Sequence, residues 1–287
     1  MTAAARRSPA AHLLAHAVIW LGLGMTAFPL YLTVVASSLT PQDIAQAPMP
    51  LWLGDKAWEN YRKVLLDGLT GSQLSPPVGV MLRNSLAMAL IIATGKIVVS
   101  VLSAYAVVFF RFPGRMLCFW LIFITLMLPV EVRILPTYKV VTDLGLINSF
   151  TGLTLPLMAS ATATLLFRQF FLTLPHELVE AAKLDGAGPL RFFWDMVLPL
   201  TRTQIAALFV ILFVYGWNQY LWPLLIVTDN KLDTIVVGIA KMVGTGGDAT
   251  TNWNLVMATA VLALLPPVLV VVLMQKWFVK GLVESEK

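Results

Sequence analysis

Six apolar runs, each about as long as a lipid hydrocarbon core is thick, dominate this chain: 13–36, 84–110, 116–140, 149–172, 204–227 and 255–278. A bilayer offers no partner for an open backbone donor or acceptor. About 20 apolar residues in a row therefore cross it economically only as a helix whose hydrogen bonds close internally. The expected fold class is an all-α polytopic membrane protein, with six transmembrane helices in one domain over 1–287. Hydrophobic residues make up 58% of the chain and charged residues 12%, about half the ~25% charge of a soluble domain. That leaves too little polar surface to wrap one core in water. The net charge of +5 would suit nucleic acid, but the Lys and Arg lie scattered at the ends of apolar runs and form no stripe, which argues against that class. A lone cysteine, Cys118, leaves no internal disulfide and no multi-cysteine metal site, and its place in an apolar run suggests a packed thiol.

Arg6 and Arg7 precede the first run, which is too long for the apolar core of a secretory signal and is read as an uncleaved span. The segment 37–80 is polar and proline-rich and is expected to be a periplasmic loop. Within it Trp58, Tyr61 and Leu65 fall on one helical face behind an Asp55 cap. That face suits either a docked soluble partner or the membrane surface. Arg83-Asn84-Ser85 is read as the cap of the second span, Pro129 and Pro136 as brackets of the outer end of the third, and Pro266-Pro267 as a kink in the sixth. Small residues from Ala159 to Thr164 mark a packing face of the fourth. Alternating the loops puts eleven Lys and Arg inside and eight outside, with Lys96 left within a span. This bias makes both termini cytoplasmic in a multi-pass protein of the bacterial inner membrane.

A polar island, 173–202, lies on the cytoplasmic side in this topology. Pro175 can open a helix, with Glu177 and Glu180 near its positive end, and Gly186 can close it in a left-handed conformation. Pro189 can start a second arm carrying Leu190, Phe192, Phe193 and Met196, and Leu198-Pro199 is expected to stop it. The pattern describes a helix-turn-helix elbow.

Glu180-Ala181-Ala182, three residues, Gly186, nine residues, then Met196-Val197-Leu198-Pro199 resembles the EAA loop of binding-protein-dependent ABC importer permeases, with Met196 where isoleucine is usual. Glu180 to Ala187, and Trp217 to Pro223, resemble the MalG-like carbohydrate-importer branch. Phe123 to Arg133, Leu153 to Phe171 and Gly281 to Lys287 resemble its members that carry sn-glycerol 3-phosphate. The resemblance implies a channel-forming permease subunit that works with a second permease, an ATPase subunit dimer and a periplasmic substrate-binding protein. It implies that 173–202 is the coupling loop, with Glu180, Ala181, Ala182, Asp185, Gly186, Ala187, Phe192, Leu198 and Pro199 serving the ATPase. Glycerophosphodiesters are a further cargo it allows, and an uncharged sugar or oligosaccharide is the alternative.

Lys96 is thirteen residues beyond Arg83 and fourteen before Phe110, about 20 Å from either end of its span. A mid-membrane ammonium costs at least ~2.5 kcal/mol, so it should face the bundle interior, either as an anion-attracting residue of the substrate pathway or in a structural pair with Glu131 or a partner. Asn218 and Trp222, i and i+4 on the fifth span, and Gln219 are further pathway candidates, although Trp222 and Tyr220 also suit interfacial anchoring. Glu131 and Arg133 are expected at the outer mouth. No glycine-rich phosphate loop and no paired-histidine motif occurs, so the chain should have no catalytic site and no metal. ATP and Mg²⁺ are expected on the separate ATPase subunit. An ion-coupled secondary transporter or an intramembrane enzyme would need inverted repeats with broken helices, or intramembrane carboxylates, and neither is legible.

Overall fold

The computed structural model describes residues 9–68, 76–244 and 251–284, with the Glu131 side chain outside the described set. Arg6, Arg7 and Ser285 to Lys287 lie outside it too. Among these residues all regular structure is helical. Four helices are long and apolar enough to cross a membrane: His12–Ser37, Val78–Phe109, Pro189–Trp217 and Trp253–Trp277. A fifth crossing results if Phe150–Leu157 and Ala161–Leu172, bent by 45° at their junction, are one span.

The remaining expected span, 116–140, is two helices, α5 (Arg115–Met127) and α6 (Val130–Asp143). Proline explains the split. Pro129 has no N–H to donate, and its ring drives Leu128 out of the helical region to φ −80°, ψ 119°. In the fourth run, α7 (Phe150–Thr154) and a tight turn at Leu155–Leu157 end before α8 (Ala161–Leu172). Ser160 does not continue a packing face. It caps α8, its hydroxyl accepting from the Ala163 N–H at 3.3 Å. The fourth run, read as one continuous span, is therefore a broken pair of helices.

The expectation that Leu198-Pro199 stops the elbow's second arm is also overturned. α10 (Pro189–Phe192) passes through a wide π turn at Phe193–Val197 straight into α11 (Leu198–Trp217). The wide turn sits where Pro199 cannot supply its hydrogen bond, and the helix stays continuous over 29 residues. Continuity is lost instead after Trp217, ahead of the short α12 (Leu221–Ile226) with Pro223 inside it. Asn218 and Trp222 consequently do not share one helix.

The chain forms two units. The first comprises Met1–Pro77 and Lys241–Leu262. Its α1 (Pro9–Ser37) exposes Leu13, Ile19, Trp20, Met25 and Phe28, as a helix does whose solvent is lipid. α2 (Pro41–Ala45) carries a reciprocal cap between Thr40 and Asp43. In α3 (Ala57–Arg62) the cap is Lys56 rather than Asp55. Its inward residues are Asn60 and, one turn on, Val64, while Trp58 stays 79% exposed. The Asn60 side-chain amide donates to the carbonyls of Ser37 and Leu39, and its oxygen accepts from Asn254 at 2.9 Å. Those bonds, not an apolar stripe, orient the helix.

The second unit comprises Val78–Ala240 and Ala263–Lys287, and α4 (Val78–Phe109) runs through its middle, packed mainly on α11 and α8. Gly216 permits the α4–α11 approach, since a Cβ there would lie 3.0 Å from the Ala89 Cα. α4 begins before Arg83, so Asn84 and Ser85 are buried helix residues and not a cap. The Asn84 amide donates to the carbonyls of Lys231 and Asp233, and the Ser85 hydroxyl accepts from the Ile235 N–H at 2.7 Å at the start of α13 (Ile235–Gly244). Cys118 is exposed, contrary to the expected packed thiol. The sixth run is α14 (Trp253–Glu284), which continues helically through Pro266 and Pro267.

Candidate functional site

The elbow is built as its residues dictate. Pro175 precedes α9 (His176–Leu184), where Glu177 sits in the first turn and Lys183 in the last, complementing the helix dipole. Gly186 takes φ +72°, which L side chains resist. Its N–H donates to the Lys183 carbonyl at 3.0 Å, and the Ala187 N–H donates to that of Ala182 at 2.8 Å. This double closure satisfies carbonyls that a helix end leaves open. Ala182 is buried, whereas Glu180, Ala181 and Asp185 are exposed. The small side chain at 182 lets that face lie close to its support, and the glycine four residues on turns the chain.

The second arm is anchored by aromatic rings. Phe192 packs edge-on to Phe109 with centroids 5.4 Å apart, Phe193 lies 4.9 Å from Tyr105, and Phe109 also meets Phe171. The Tyr105 hydroxyl donates to the Pro189 carbonyl at 2.7 Å. Tyr105 and Phe109 thus join the end of α4 to the elbow, a role that sequence reading missed. Leu198 and Pro199 are not contact points of a separate arm but part of the continuous helix beyond the π turn. Leu184, Leu190 and Trp194 are largely exposed, Leu184 to 88%. They form an apolar prominence around the turn.

A second feature lies along the same helices. Lys96 is only 6% exposed. Its Nζ stands 3.7 Å from the centroid of the Tyr215 ring, a cation over the negative face of a π system. The two line a cavity of about 200 Å³ with Arg133, Thr137, Gln219 and Trp222. Neither Lys96 nor Arg133 forms an ion pair with a described carboxylate; the pairs Lys56–Glu59 and Arg191–Asp195 lie elsewhere. Pairing with Glu131 falls outside the described side chains.

The broken helices explain why there is a cavity. Pro156, Leu157 and Ala159 from the α7–α8 break and Gln219 from the α11–α12 break all face it. Irregular backbone at membrane depth is tolerated where it is buried in protein or lines a polar space. Gln219 is held by donation to the Tyr215 carbonyl at 3.1 Å. Trp222 is not an interfacial anchor: it is buried, donates to the Gly152 carbonyl at 3.1 Å, and belongs to a core cluster with Met88, Ile92, Leu153 and Ile226. Tyr220 is exposed. Asn218 caps α11 and does not line the cavity. Of the six pathway candidates, Lys96, Arg133, Gln219 and Trp222 share one space.

Residues 80–284 match the family described as binding-protein-dependent transport system inner membrane component. The chain belongs to this family. It is an integral membrane transport subunit, which disposes of the secondary-transporter and intramembrane-enzyme readings despite the broken helix. Curated relatives extend over nearly the whole length. The sn-glycerol-3-phosphate transport system permease protein UgpE of Agrobacterium fabrum is 62% identical over 283 residues, covering 97% of this chain and 98% of its own. The protein of the same name from Pectobacterium atrosepticum is 60% identical over 272 residues, covering 95% and 96%. A crystal structure of a bacterial ABC transporter involved in the import of the acidic polysaccharide alginate contains a chain of the same fold, with a TM-score of 0.82 at 19% identity. That match covers 97% of this chain and 100% of that one.

Proposed function

We propose that this chain is the channel-forming permease subunit of an ATP-driven, binding-protein-dependent importer of sn-glycerol 3-phosphate, with glycerophosphodiesters as a further cargo. The observation that carries the reading is the identity of about 60%, end to end, with UgpE proteins of several bacteria. The Lys96–Arg133 cavity supports it. A buried cation, Lys96, and an exposed one beside it, Arg133, neither with a described counter-ion, favour a phosphate monoester over a neutral sugar. Tyr215, Gln219 and Trp222 would suit a polyol, which keeps the uncharged-sugar alternative in view. However, the Trp222 N–H is already bound to Gly152 and is not free for a hydroxyl.

In this reading the subunit spans the inner membrane with both termini cytoplasmic and six crossings, α5 and α6 together forming the third. A second permease completes the channel, a periplasmic binding protein delivers the substrate, and ATP and Mg²⁺ bind on an ATPase dimer docked at the elbow. Leu184, Leu190 and Trp194 supply the apolar contact and Glu180 and Asp185 the charges. Closure of the ATPases pushes on the elbow. Because Pro189–Trp217 is one continuous helix, the push reaches Tyr215 about 40 Å away at ~1.5 Å per residue. Movement of the Tyr215 ring uncovers or covers Lys96, linking ATP turnover to the exposure of the cation.

Deleting the encoding gene from its host and measuring uptake of labelled sn-glycerol 3-phosphate tests the reading. Uptake should vanish and return with the chain supplied in trans. Undiminished uptake together with lost growth on a neutral sugar would favour the alternative cargo.

A further inference from the structure

We propose that the cavity between the coupling elbow and the adjoining ends of α4 and α8 binds an anionic phospholipid, whose headgroup phosphate is held by Arg111, Arg115 and Lys183. The cavity measures about 370 Å³ and combines a charged side with an apolar one. Arg111 follows α4, and Gly114, at φ +80°, turns the chain so that Arg115 opens α5 beside it. From across the space, His176, Val179, Glu180 and Lys183 face in as one i, i+3, i+4, i+7 stripe of α9.

Three permanent cations therefore line one cavity with a single carboxylate, Glu180. None of them forms an ion pair among the described residues, and the contact seen for Arg115 is donation to the Phe110 carbonyl at 3.3 Å. Like charges gathered this closely repel one another unless an anion lies between them. The apolar lining residues Phe109, Phe171, Leu172 and Val179 would contribute nothing to a free phosphate ion, whereas the glycerol end of an acyl chain can lie against them. The cavity also stands at the ends of two apolar helices, which in the proposed topology is the level of lipid headgroups, where basic pockets collect anionic lipid. A bound phosphate would bridge α9 to the α4–α5 turn and tether the elbow to the spans it must move. This role is separate from the identity of the cargo, so either can fail alone.

The test uses the complete transporter in nanodiscs of phosphatidylcholine, with or without phosphatidylglycerol. Native mass spectrometry counts the phosphatidylglycerol retained on this subunit, and binding-protein-stimulated ATP hydrolysis is measured in parallel. R111Q/R115Q should lower retention about tenfold or more, since each basic residue near an anionic bilayer contributes roughly fivefold to the attraction. It should also abolish the rise in hydrolysis that phosphatidylglycerol produces, while R111K/R115K keeps most of both. If R111Q/R115Q does not assemble, K183Q is read on the same scale. Equal retention by the native and neutralised subunits would overturn the proposal. So would inorganic phosphate reproducing the stimulation in phosphatidylcholine alone, which would assign the cavity to a soluble anion.

Discussion

Lys96 is the residue on which most depends, because a buried ammonium needs either an anion or a compensating environment. The Tyr215 ring face supplies part of the latter, on the order of 2 kcal/mol when desolvated. Lys96→Met keeps length and removes charge. Uptake of sn-glycerol 3-phosphate by reconstituted complexes is expected to fall about tenfold or more, as loss of ~1.4 kcal/mol of attraction implies, and by much more than basal ATP hydrolysis or assembly. Unchanged uptake would remove Lys96 from the pathway, and loss of assembly would make it a structural group. A second residue prediction concerns Asn84. Asn84→Ala deletes two donations to the Lys231 and Asp233 carbonyls and should destabilise the subunit by about 1–3 kcal/mol, read as a lower midpoint of thermal unfolding. The importance of Lys96 was legible from its place in an apolar run. That of Asn84 and Tyr105 was not, because their partners lie 147 and 84 positions away and leave no local period.

At the scale of elements, the elbow was the most legible part of the chain, since helix starts and glycine turns are set by neighbours a few residues apart. Its double closure at Gly186 follows directly from one residue type at one place. The breaks were less legible. A proline signals that a hydrogen bond is missing without saying how the backbone will respond: at Pro129 the helix parts, at Pro199 it widens by a π turn, and at Pro266 and Pro267 it continues. Tertiary packing decides among these, and it is invisible to hydropathy. A substitution pair tests the elbow. Nothing lies within 4 Å of a Cβ placed at Gly186, so Gly186→Ala should cost only the strain of positive φ, about 1 kcal/mol, and leave coupling largely intact. Gly186→Pro cannot reach φ +72° and loses the bond to the Lys183 carbonyl. Transport and substrate-stimulated ATP hydrolysis should fall together in a subunit that still inserts. Retention of coupled transport by Gly186→Pro would contradict a rigid coupling turn.

For the molecule as a whole, the proposed topology would put the elbow and the segment 37–80 on opposite sides of the membrane. Reporter fusions after Gly71 and Gly246 should score periplasmic, and a cytoplasmic score at either would require a different number of crossings. That number rests on α5 and α6 acting together, because neither half of 116–140 is long enough alone. The central claim is that this framework imports a phosphorylated polyol at the expense of ATP hydrolysed elsewhere, and one measurement tests it most directly. Proteoliposomes holding this subunit, its partner permease and the ATPase dimer would be loaded with ATP and Mg²⁺ and given binding protein with labelled sn-glycerol 3-phosphate outside. Accumulation that requires ATP, binding protein and this subunit, and that neutral sugars do not inhibit, is the expected result. Accumulation of a neutral sugar in place of sn-glycerol 3-phosphate, or uptake that persists without ATP, would contradict it.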